Sequence, residues 1–342
     1  MPVPSNYPNF EILEVDLWEF LLEREDRKFP DEKILYQDAE TKRKYTYSSL
    51  KEASVKFGKG LIARYDWQKG DVLALFTPKS IDTPAIIWGA VWAGGVVSPA
   101  NPAYTVNELS FQLKSSGAKV VATQVSLLPV VTAAARNAGI PTDNIILLGD
   151  QHATEARHNY QVTFSYVVLP VVRLLSKHPV VDKYNLSNLR MMSSGAASLS
   201  RELVEAVYAH IGVGIEQGYG LSESSPTSYS QEWSDWREAI GSVGRLTPNM
   251  EAKFMTHPEH NKEPTEVRVG ELYLRGPNIL LGYHQNLTAT RECLSEDDWF
   301  RTGDVGYQDS KGHFYITDRV KELIKYKGFQ VAPAGLEGLF DR

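Results

Sequence analysis

Short apolar runs alternate with longer segments of helical periodicity in the first half of the chain. The predicted strands are residues 71–76, 96–97, 119–123 and 144–148. The predicted helices are residues 81–93, 106–115 and 127–138. We expect the second strand to break at Pro99, because proline has no backbone N–H to donate to a sheet. Strands separated by helices in this way predict an α/β fold with a parallel sheet covered on both faces.

The pattern changes in the second half. A helix at 201–210 is predicted between strands at 189–192 and 213–216, and strands dominate after Gly241. Residues 270–275 and 312–317 alternate apolar and polar positions with a period of two, which predicts a small antiparallel sheet or barrel. The segment 150–160 is polar and has no periodicity, and we interpret it as a break in the organisation of the chain.

Composition and charge exclude several classes of protein. The chain of 342 residues has the length of about two domains, and its 42% hydrophobic content argues against disorder. Its net charge of −6 gives no reason to expect nucleic acid as a partner. A single cysteine, Cys293, excludes an intrachain disulfide and argues against a cysteine-based zinc site. We interpret the pair His257 and His260 as part of a solvated loop. The sequence has no secretory signal and no apolar run of about 18 residues, so we expect a cytoplasmic protein without a membrane span.

Three segments carry candidate chemistry. Small residues at 193–197 follow a predicted strand and precede a helix, so a ligand is able to approach the backbone closely there; an ordinary tight turn is the alternative. The sequence QGYGLSE at 217–223 combines an aromatic ring, a hydroxyl group and a carboxylate. The sequence RTGD at 301–304 is followed by a basic segment at 318–330, a combination suited to a sugar diol and to phosphate.

These segments, in this order, resemble the adenylate-forming acyl-CoA synthetases, and most closely the 4-coumarate–CoA ligase and luciferase branch. The similarity also includes GELYLRG at 270–276 and WAGGVVSPANP at 92–102, so that it covers most of the chain. It implies two half-reactions. ATP and a carboxylic acid form an acyl-adenylate and pyrophosphate, and the thiol of coenzyme A then displaces AMP to give a thioester.

The resemblance also implies roles for individual residues. Tyr219 would stack on adenine, Ser222 would contact phosphate, and Glu223 would help to hold Mg²⁺. Asp304 and Arg319 would bind the ribose, and Lys325 and Gln330 would serve the thioester half-reaction. Five residues would line the wall shared by nucleotide and acyl group: Ser194, Gly195, Ala196, Ala197 and Gly218. Gly220 is a further predicted cofactor contact.

The chain departs from the family pattern in two places. No Ser/Thr/Gly-rich phosphate loop ending in Pro-Lys-Gly precedes Ser194; it is expected between residues 150 and 162. The chain stops at Arg342, so most of the small C-terminal domain with its adenylation lysine is expected to be missing. The resemblance therefore predicts an adenylate-forming large domain that is internally deleted and C-terminally truncated. The predicted divisions are an α/β subdomain (1–150), a shortened second α/β part (151–240), a β-rich subdomain (241–317) and a hinge with a domain stub (318–342).

The predicted function is that of an acid–thiol ligase using ATP, Mg²⁺ and coenzyme A, with impaired or absent activity in this form. One alternative is a non-catalytic remnant that retains nucleotide contacts. Another is an enzyme that passes the acyl group to a carrier protein, although the basic segment before Gln330 favours coenzyme A. The acid stays open among aryl, arylpropenoyl and fatty acids, as do the oligomeric state and a peroxisomal location of a full-length form.

Overall fold

The computed structural model describes residues 2–149, 162–195, 199–256, 267–320, 324–326 and 329–331. The chain divides into two compact units, one formed by Met1–Ile12 with Gln161–Arg342 and the other by Leu13–Tyr160. We call the first the split unit and the second the continuous unit. The segment 150–160, Ala196, Ala197, His257 and His260 lie outside the described residues, so the interpretations given for them are not addressed.

Seven α-helices and eighteen strands are described, beside five short 3-10 or π turns. The helices are α1 (Tyr47–Tyr65), α2 (Thr83–Trp92), α3 (Val106–Ser116), α4 (Leu128–Ala138), α5 (Leu169–Lys177), α6 (Arg201–Ile211) and α7 (Leu287–Cys293). Strands in the first half are β1 (Val3–Pro4), β2 (Ile34–Gln37), β3 (Lys44–Thr46), β4 (Val72–Phe76), β5 (Val96–Ala100), β6 (Ala118–Gln124), β7 (Ile145–Leu148) and β8 (Phe164–Val167). The other strands are β9 (Met191–Ser194), β10 (Gly214–Gly220), β11 (Thr227–Ser230), β12 (Arg245–Leu246), β13 (Glu251–Met255), β14 (Val269–Arg275), β15 (Phe300–Gln308), β16 (Phe314–Arg319), β17 (Ile324–Tyr326) and β18 (Phe329–Val331). No helix in these described ranges has the length and apolarity that a bilayer crossing requires.

The continuous unit contains a parallel sheet in the order β5-β4-β6-β7. All five residues of β4 are buried, and they alternate between two apolar clusters. Phe76 belongs to the cluster formed with α3 and α4, whereas Leu75 belongs to the cluster formed with α1 and α2. Helices therefore cover both faces of the sheet, as the alternation of strands and helices predicts.

Two features of this unit differ from the sequence-based prediction. Strand β5 does not break at Pro99 but continues to Ala100. Because β5 is the edge strand, Pro99 removes no hydrogen bond from the interior of the sheet. Helix α1, which was not predicted, begins after a capping box in which Thr46 and Ser49 satisfy each other's backbone N–H groups.

The split unit contains two five-stranded sheets. The mixed sheet has the order β12-β11-β10-β9-β8, in which β8, β9 and β10 are parallel and the other pairs antiparallel. Strands β9 and β10 begin one or two residues later than predicted and extend further. The second sheet is antiparallel, with the order β1-β13-β14-β15-β16. The sheet is open, so of the two predicted arrangements the structure has the small antiparallel sheet and not the barrel.

An aromatic core joins these two sheets. Phe314 of β16 stacks on Tyr229 of β11 with 4.5 Å between ring centroids, and both rings are buried. Their contact is reinforced by two backbone bonds, from Phe314 N to the Gly244 carbonyl at 2.8 Å and from Val243 N to the Phe314 carbonyl at 2.9 Å. The core therefore fixes the end of β10 next to β15, where the predicted nucleotide contacts lie.

The first residues of the chain complete the antiparallel sheet. Val3 of β1 pairs with Ala252 of β13, and Ser5 donates its hydroxyl to the Leu246 carbonyl at 2.9 Å. Strand β1 thus belongs to a sheet whose other strands come from the far end of the sequence.

Candidate functional site

Tyr219 lies at an irregularity near the end of β10. It pairs with Tyr229 of β11, and the register shifts between Tyr219 and Gly220. At Gly220 the two strands approach so closely that an added Cβ would lie 1.6 Å from the carbonyl oxygen of Pro226. Only glycine fits at this point, which explains the glycine that follows the aromatic residue in the motif.

Three residues predicted to bind nucleotide lie together. The phenol of Tyr219 donates to Oδ2 of Asp304 at 2.6 Å, and Nε of Arg319 donates to Oδ1 of the same carboxylate at 3.0 Å. Asp304 and Arg319 are also direct partners in the β15–β16 pair. Asp304 is 3% exposed, whereas the Arg319 side chain is 59% exposed. The cluster therefore places a buried carboxylate beneath an accessible cation.

The Tyr219 ring is held by aromatic neighbours. Its centroid is 6.1 Å from that of Tyr229 and 6.2 Å from that of Phe314. Burial, together with the charge of Asp304, raises the pKa of Tyr219 far above its ordinary value. The phenol therefore stays protonated and remains a donor to Asp304 across the physiological pH range.

Glu223 lies in a short turn after β10 and is tied to the segment that precedes α7. Its Oε1 accepts a hydrogen bond of 2.7 Å from the phenol of Tyr283, and its carbonyl accepts the Leu280 N–H at 2.8 Å. Asn278 donates its amide to the Ser224 carbonyl at 2.7 Å. Burial and the contact with Glu223 raise the pKa of Tyr283, so its proton stays on the phenol. The turn that presents Glu223 is thus fixed by side-chain and backbone bonds from one neighbouring segment.

The predicted wall residues lie where β9 and β10 run side by side. Ser194 pairs with Gln217, and an added Cβ on Gly195 would lie 3.6 Å from the Gly218 carbonyl oxygen. Ser194 is buried, and its hydroxyl has no hydrogen-bond partner among the described residues. A buried polar atom of this kind is typical of a place where a water or ligand completes the bonding.

The other predicted residues are not part of these contacts. Ser222 is exposed at the start of the turn that carries Glu223. Lys325 and Gln330 face each other in the register of the β17–β18 hairpin. Ala196 lies outside the described residues.

The side chains described in the structure form no group of three His, Cys, Asp or Glu that is suited to hold a metal ion. A single carboxylate such as Glu223 suits Mg²⁺, which is commonly held by one or two carboxylates together with substrate phosphates. Cys293 is partly buried, and this burial raises the pKa of its thiol. A protonated thiol is a poor nucleophile, in agreement with the sequence, which shows no activating neighbour.

Sequence reasoning gave no role to several residues that shape this site. Tyr283 and Asn278 contact the Glu223 turn from about 60 and 54 positions along the chain, and no local pattern indicates such contacts. Thr302 donates to the Leu272 carbonyl at 2.9 Å and accepts the Asp304 N–H at 3.1 Å. Its position inside the RTGD motif is the only sequence signal for this role.

Comparison with known proteins identifies the family. A sequence model described as AMP-binding enzyme matches residues 22–157 and 142–284. A probable 4-coumarate–CoA ligase 2 of Dictyostelium discoideum is 43% identical over 182 residues, which are 53% of this chain and 32% of that protein. The 4-coumarate–CoA ligase 1 of Petroselinum crispum is 40% identical over 191 residues, 54% of this chain and 35% of its own length. The luciferin 4-monooxygenase of Luciola mingrelica is 39% identical over 182 residues, 53% of this chain and 33% of its own length. The chain thus spans about a third of the length of these curated relatives.

Solved structures show the same fold. ATP-bound MatB from Rhodopseudomonas palustris has a TM-score of 0.77 at 20% identity, covering 95% of this chain and 82% of that one. The anthranilate CoA ligase AuaEII in complex with anthranoyl-AMP has a TM-score of 0.74 at 17% identity, covering 87% and 76%. The chain therefore belongs to the AMP-binding enzyme family, the adenylate-forming superfamily, in its 4-coumarate–CoA ligase and luciferase branch.

Proposed function

We propose that this chain carries the nucleotide-binding part of an acid–thiol ligase. The overall reaction converts a carboxylic acid, ATP and coenzyme A into an acyl-CoA, AMP and pyrophosphate. The observation that supports this most directly is the contact of Tyr219 and Arg319 with the buried carboxylate of Asp304. An aromatic ring beside a carboxylate and a guanidinium group matches the base and the sugar of a nucleotide.

The carboxylate of Asp304 suits a ribose diol. An ionised carboxylate has about four acceptor positions, and the structure uses one on each oxygen, for Tyr219 and for Arg319. The remaining positions accept the two ribose hydroxyls. Because its own proton is retained, Tyr219 neutralises part of the buried charge without competing for the ligand as an acceptor.

Glu223 is the residue of this chain that would hold Mg²⁺ beside the phosphates. Tyr283 bonds to Oε1 and fixes the orientation of the carboxylate. A bound Mg²⁺ would supply positive charge that offsets the charge of the phosphates. The contribution of the chain is to hold one carboxylate in a fixed place and orientation.

We further propose that the activity of this chain is impaired or absent. Adenylation needs backbone N–H groups that hold the departing pyrophosphate, and the sequence before Ser194 contains no Ser/Thr/Gly-rich loop ending in Pro-Lys-Gly. The match of the family in two overlapping segments, which meet at residues 142–157, supports an interruption of the family pattern there. Lys325 and Gln330 would act in the thioester half-reaction.

The names of the relatives favour an aromatic acid as the substrate, with an arylpropenoyl acid as the first candidate. A second candidate function is that of a non-catalytic nucleotide-binding protein. It is favoured by the combination of an intact Tyr219–Asp304–Arg319 cluster with a missing phosphate loop. Both candidates require nucleotide binding, and they differ in turnover.

Nucleotide binding is tested by titrating AMP into the wild-type chain and into Asp304→Ala in a calorimeter. We expect weak binding to the wild type and a further loss of about 10- to 150-fold in the variant, because charge-assisted hydrogen bonds contribute about 1.5–3 kcal/mol. Asp143→Ala removes an equal charge from an exposed turn and serves as the control. Equal affinity of wild type and Asp304→Ala, with matching thermal stability, would remove Asp304 from the site.

A further inference from the structure

Strand β15 contains an insertion relative to its partner β14. Glu271 pairs with Val305, and Tyr273 pairs with Arg301. One residue of β14 therefore faces residues 302–304 of β15, so the strand carries two extra residues at this point. Asp304 is the last residue of this bulge, and its direction depends on how the bulge is held.

The bulge has its own set of hydrogen bonds. Gly303 adopts a positive φ of 78°, which favours glycine. Thr302 bonds to the Leu272 carbonyl and accepts the Asp304 N–H, as described above. The Gly303 carbonyl accepts the Val320 N–H at 2.8 Å. One of these bonds is internal to the bulge, and the other two tie it to Leu272 and Val320. None of them joins the residue before the bulge to the residue after it.

An ion pair connects those two ends. Nε of Arg301, the residue before the bulge, donates to Oε1 of Glu271 at 2.7 Å, and Glu271 is the partner of the residue after it. The Glu271 side chain is completely buried and that of Arg301 is one-third exposed. The bond to Glu271 raises the pKa of Arg301, so the guanidinium group stays charged. The pair therefore spans the bulge diagonally.

A buried ion pair is a poor means of gaining stability, because desolvation offsets much of the attraction. Its orientation is more specific than that of an apolar pair, since the guanidinium group presents its N–H groups in a fixed plane. A second ion pair of the same sheet offers a comparison. Arg275 bonds to Glu251 on the regular β13–β14 ladder, where the two residues are direct partners and the register does not shift.

We propose that Glu271 and Arg301 are positioning residues that hold the β15 bulge in register and so direct the Asp304 carboxylate toward Tyr219 and the ligand. The role in ligand binding rests on the proposed function, whereas the role in holding the register of the bulge does not. Neither residue is itself a predicted ligand contact, and the pair acts on the ligand through Asp304.

The first experiment is a double-mutant cycle on AMP affinity. Arg301→Lys keeps the charge but loses the planar fork, and we expect it to weaken AMP binding about fivefold in the wild type. In an Asp304→Asn background the same change should cost less than about twofold, because the positioned carboxylate is already gone. Arg275→Lys should leave affinity unchanged in both backgrounds. Equal losses from Arg301→Lys in both backgrounds would overturn the proposal.

The second experiment needs no ligand. Amide hydrogen exchange at Asp304 and Val320, whose N–H groups bond within the bulge, should be about tenfold faster in Arg301→Lys, and exchange along β13–β14 should not change. Glu271→Gln should accelerate exchange at the same two amides. Agreement between the two variants would show that the effect comes from loss of the ion pair and not from the introduced lysine. Unchanged exchange at the bulge, or equal acceleration throughout the sheet, would refute the positioning role. Absence of AMP binding to the wild type would count against the proposed function, and the exchange measurement would still decide this inference.

Discussion

In strand β4 five consecutive side chains are apolar and buried, and the neighbouring strands match it with little irregularity. In strand β15 the register shifts against both neighbours, one glycine has a positive φ, and the strand carries a buried carboxylate. The first strand belongs to the continuous unit and the second to the split unit. A sheet that serves only as a scaffold is stabilised by burying apolar side chains on regularly paired strands. A sheet that presents polar groups departs from regular pairing, and further contacts are needed to fix those irregular positions.

The largest effect that follows from this comparison concerns turnover. The split unit holds the residues proposed to contact ribose, but no Ser/Thr/Gly-rich stretch ending in Pro-Lys-Gly precedes Ser194. Loss of one oxyanion-type donor commonly costs 10²–10³ in rate. We expect acid-dependent exchange of labelled pyrophosphate into ATP to be at least about 10³-fold below that of an intact ligase. The assay uses a panel of aryl, arylpropenoyl and fatty acids on protein shown to melt cooperatively. Robust exchange with any of these acids would show that other groups hold the phosphates.

The next effect separates scaffold from site. Phe76→Ala in β4 removes a completely buried ring, and we expect it to lower the free energy of unfolding by about 3–5 kcal/mol. Phe111→Ala, on a ring that is 74% exposed, should change it by less than about 0.5 kcal/mol. Urea unfolding measures both, and AMP titration of the folded variants should give wild-type affinity. Weaker AMP binding by folded Phe76→Ala would contradict the view that β4 contributes to stability and not to the nucleotide site.

A smaller effect tests the fixed turn at Glu223. Tyr283→Phe removes one hydrogen bond to a carboxylate, so we expect about fivefold weaker binding of ATP in the presence of Mg²⁺, equivalent to about 1 kcal/mol. Without Mg²⁺ the affinity should not change. Tyr166→Phe, at a tyrosine that is 84% exposed, is the matched control. Equal losses with and without the metal would assign Tyr283 a purely structural role.

The smallest effect concerns Asp235, a partly buried carboxylate of the split unit. Burial acts to raise the pKa of Asp235, but the contacts with His313 and Arg245 outweigh it and leave this pKa below its ordinary value. A lowered pKa contributes stability above the unfolded value near 4, and this contribution is lost as the pH falls further. The difference in melting temperature between wild type and Asp235→Asn should therefore shrink as the pH falls below about 4. A difference independent of pH in this range would mean that charge is not its cause.

The regular region is also the one that the sequence predicts well. Burial of every residue in β4 and the periodicity of α3 and α4 are local properties, and the predicted ends agree with the structure within a few residues. That β5 is an edge strand depends on the arrangement of the whole sheet and cannot be read from the residues around Pro99. The prediction that the strand breaks at Pro99 was therefore wrong.

The candidate site also has a part that the sequence predicts and a part that it does not. The motifs point to Tyr219, Asp304 and Arg319, and the structure brings these three together; their ligand remains a prediction. Sequence cannot indicate that residues 302–304 form a bulge, because the bulge exists only in relation to Glu271 on another strand. Contacts of this kind depend on pairing between distant segments and leave no periodic pattern.

The position of β1 has a consequence for the order of folding. Its residue Val3 pairs with Ala252, and the whole continuous unit is made between them. At about 5–20 residues per second, a ribosome takes roughly 10–50 s to pass from one to the other. The strands of the parallel sheet all lie between residues 72 and 148, so they are synthesised well before β13 and that unit has time to fold first. During this interval the N-terminal segment has no partner strand, and the sheet that carries Asp304 is completed only when β13 has emerged.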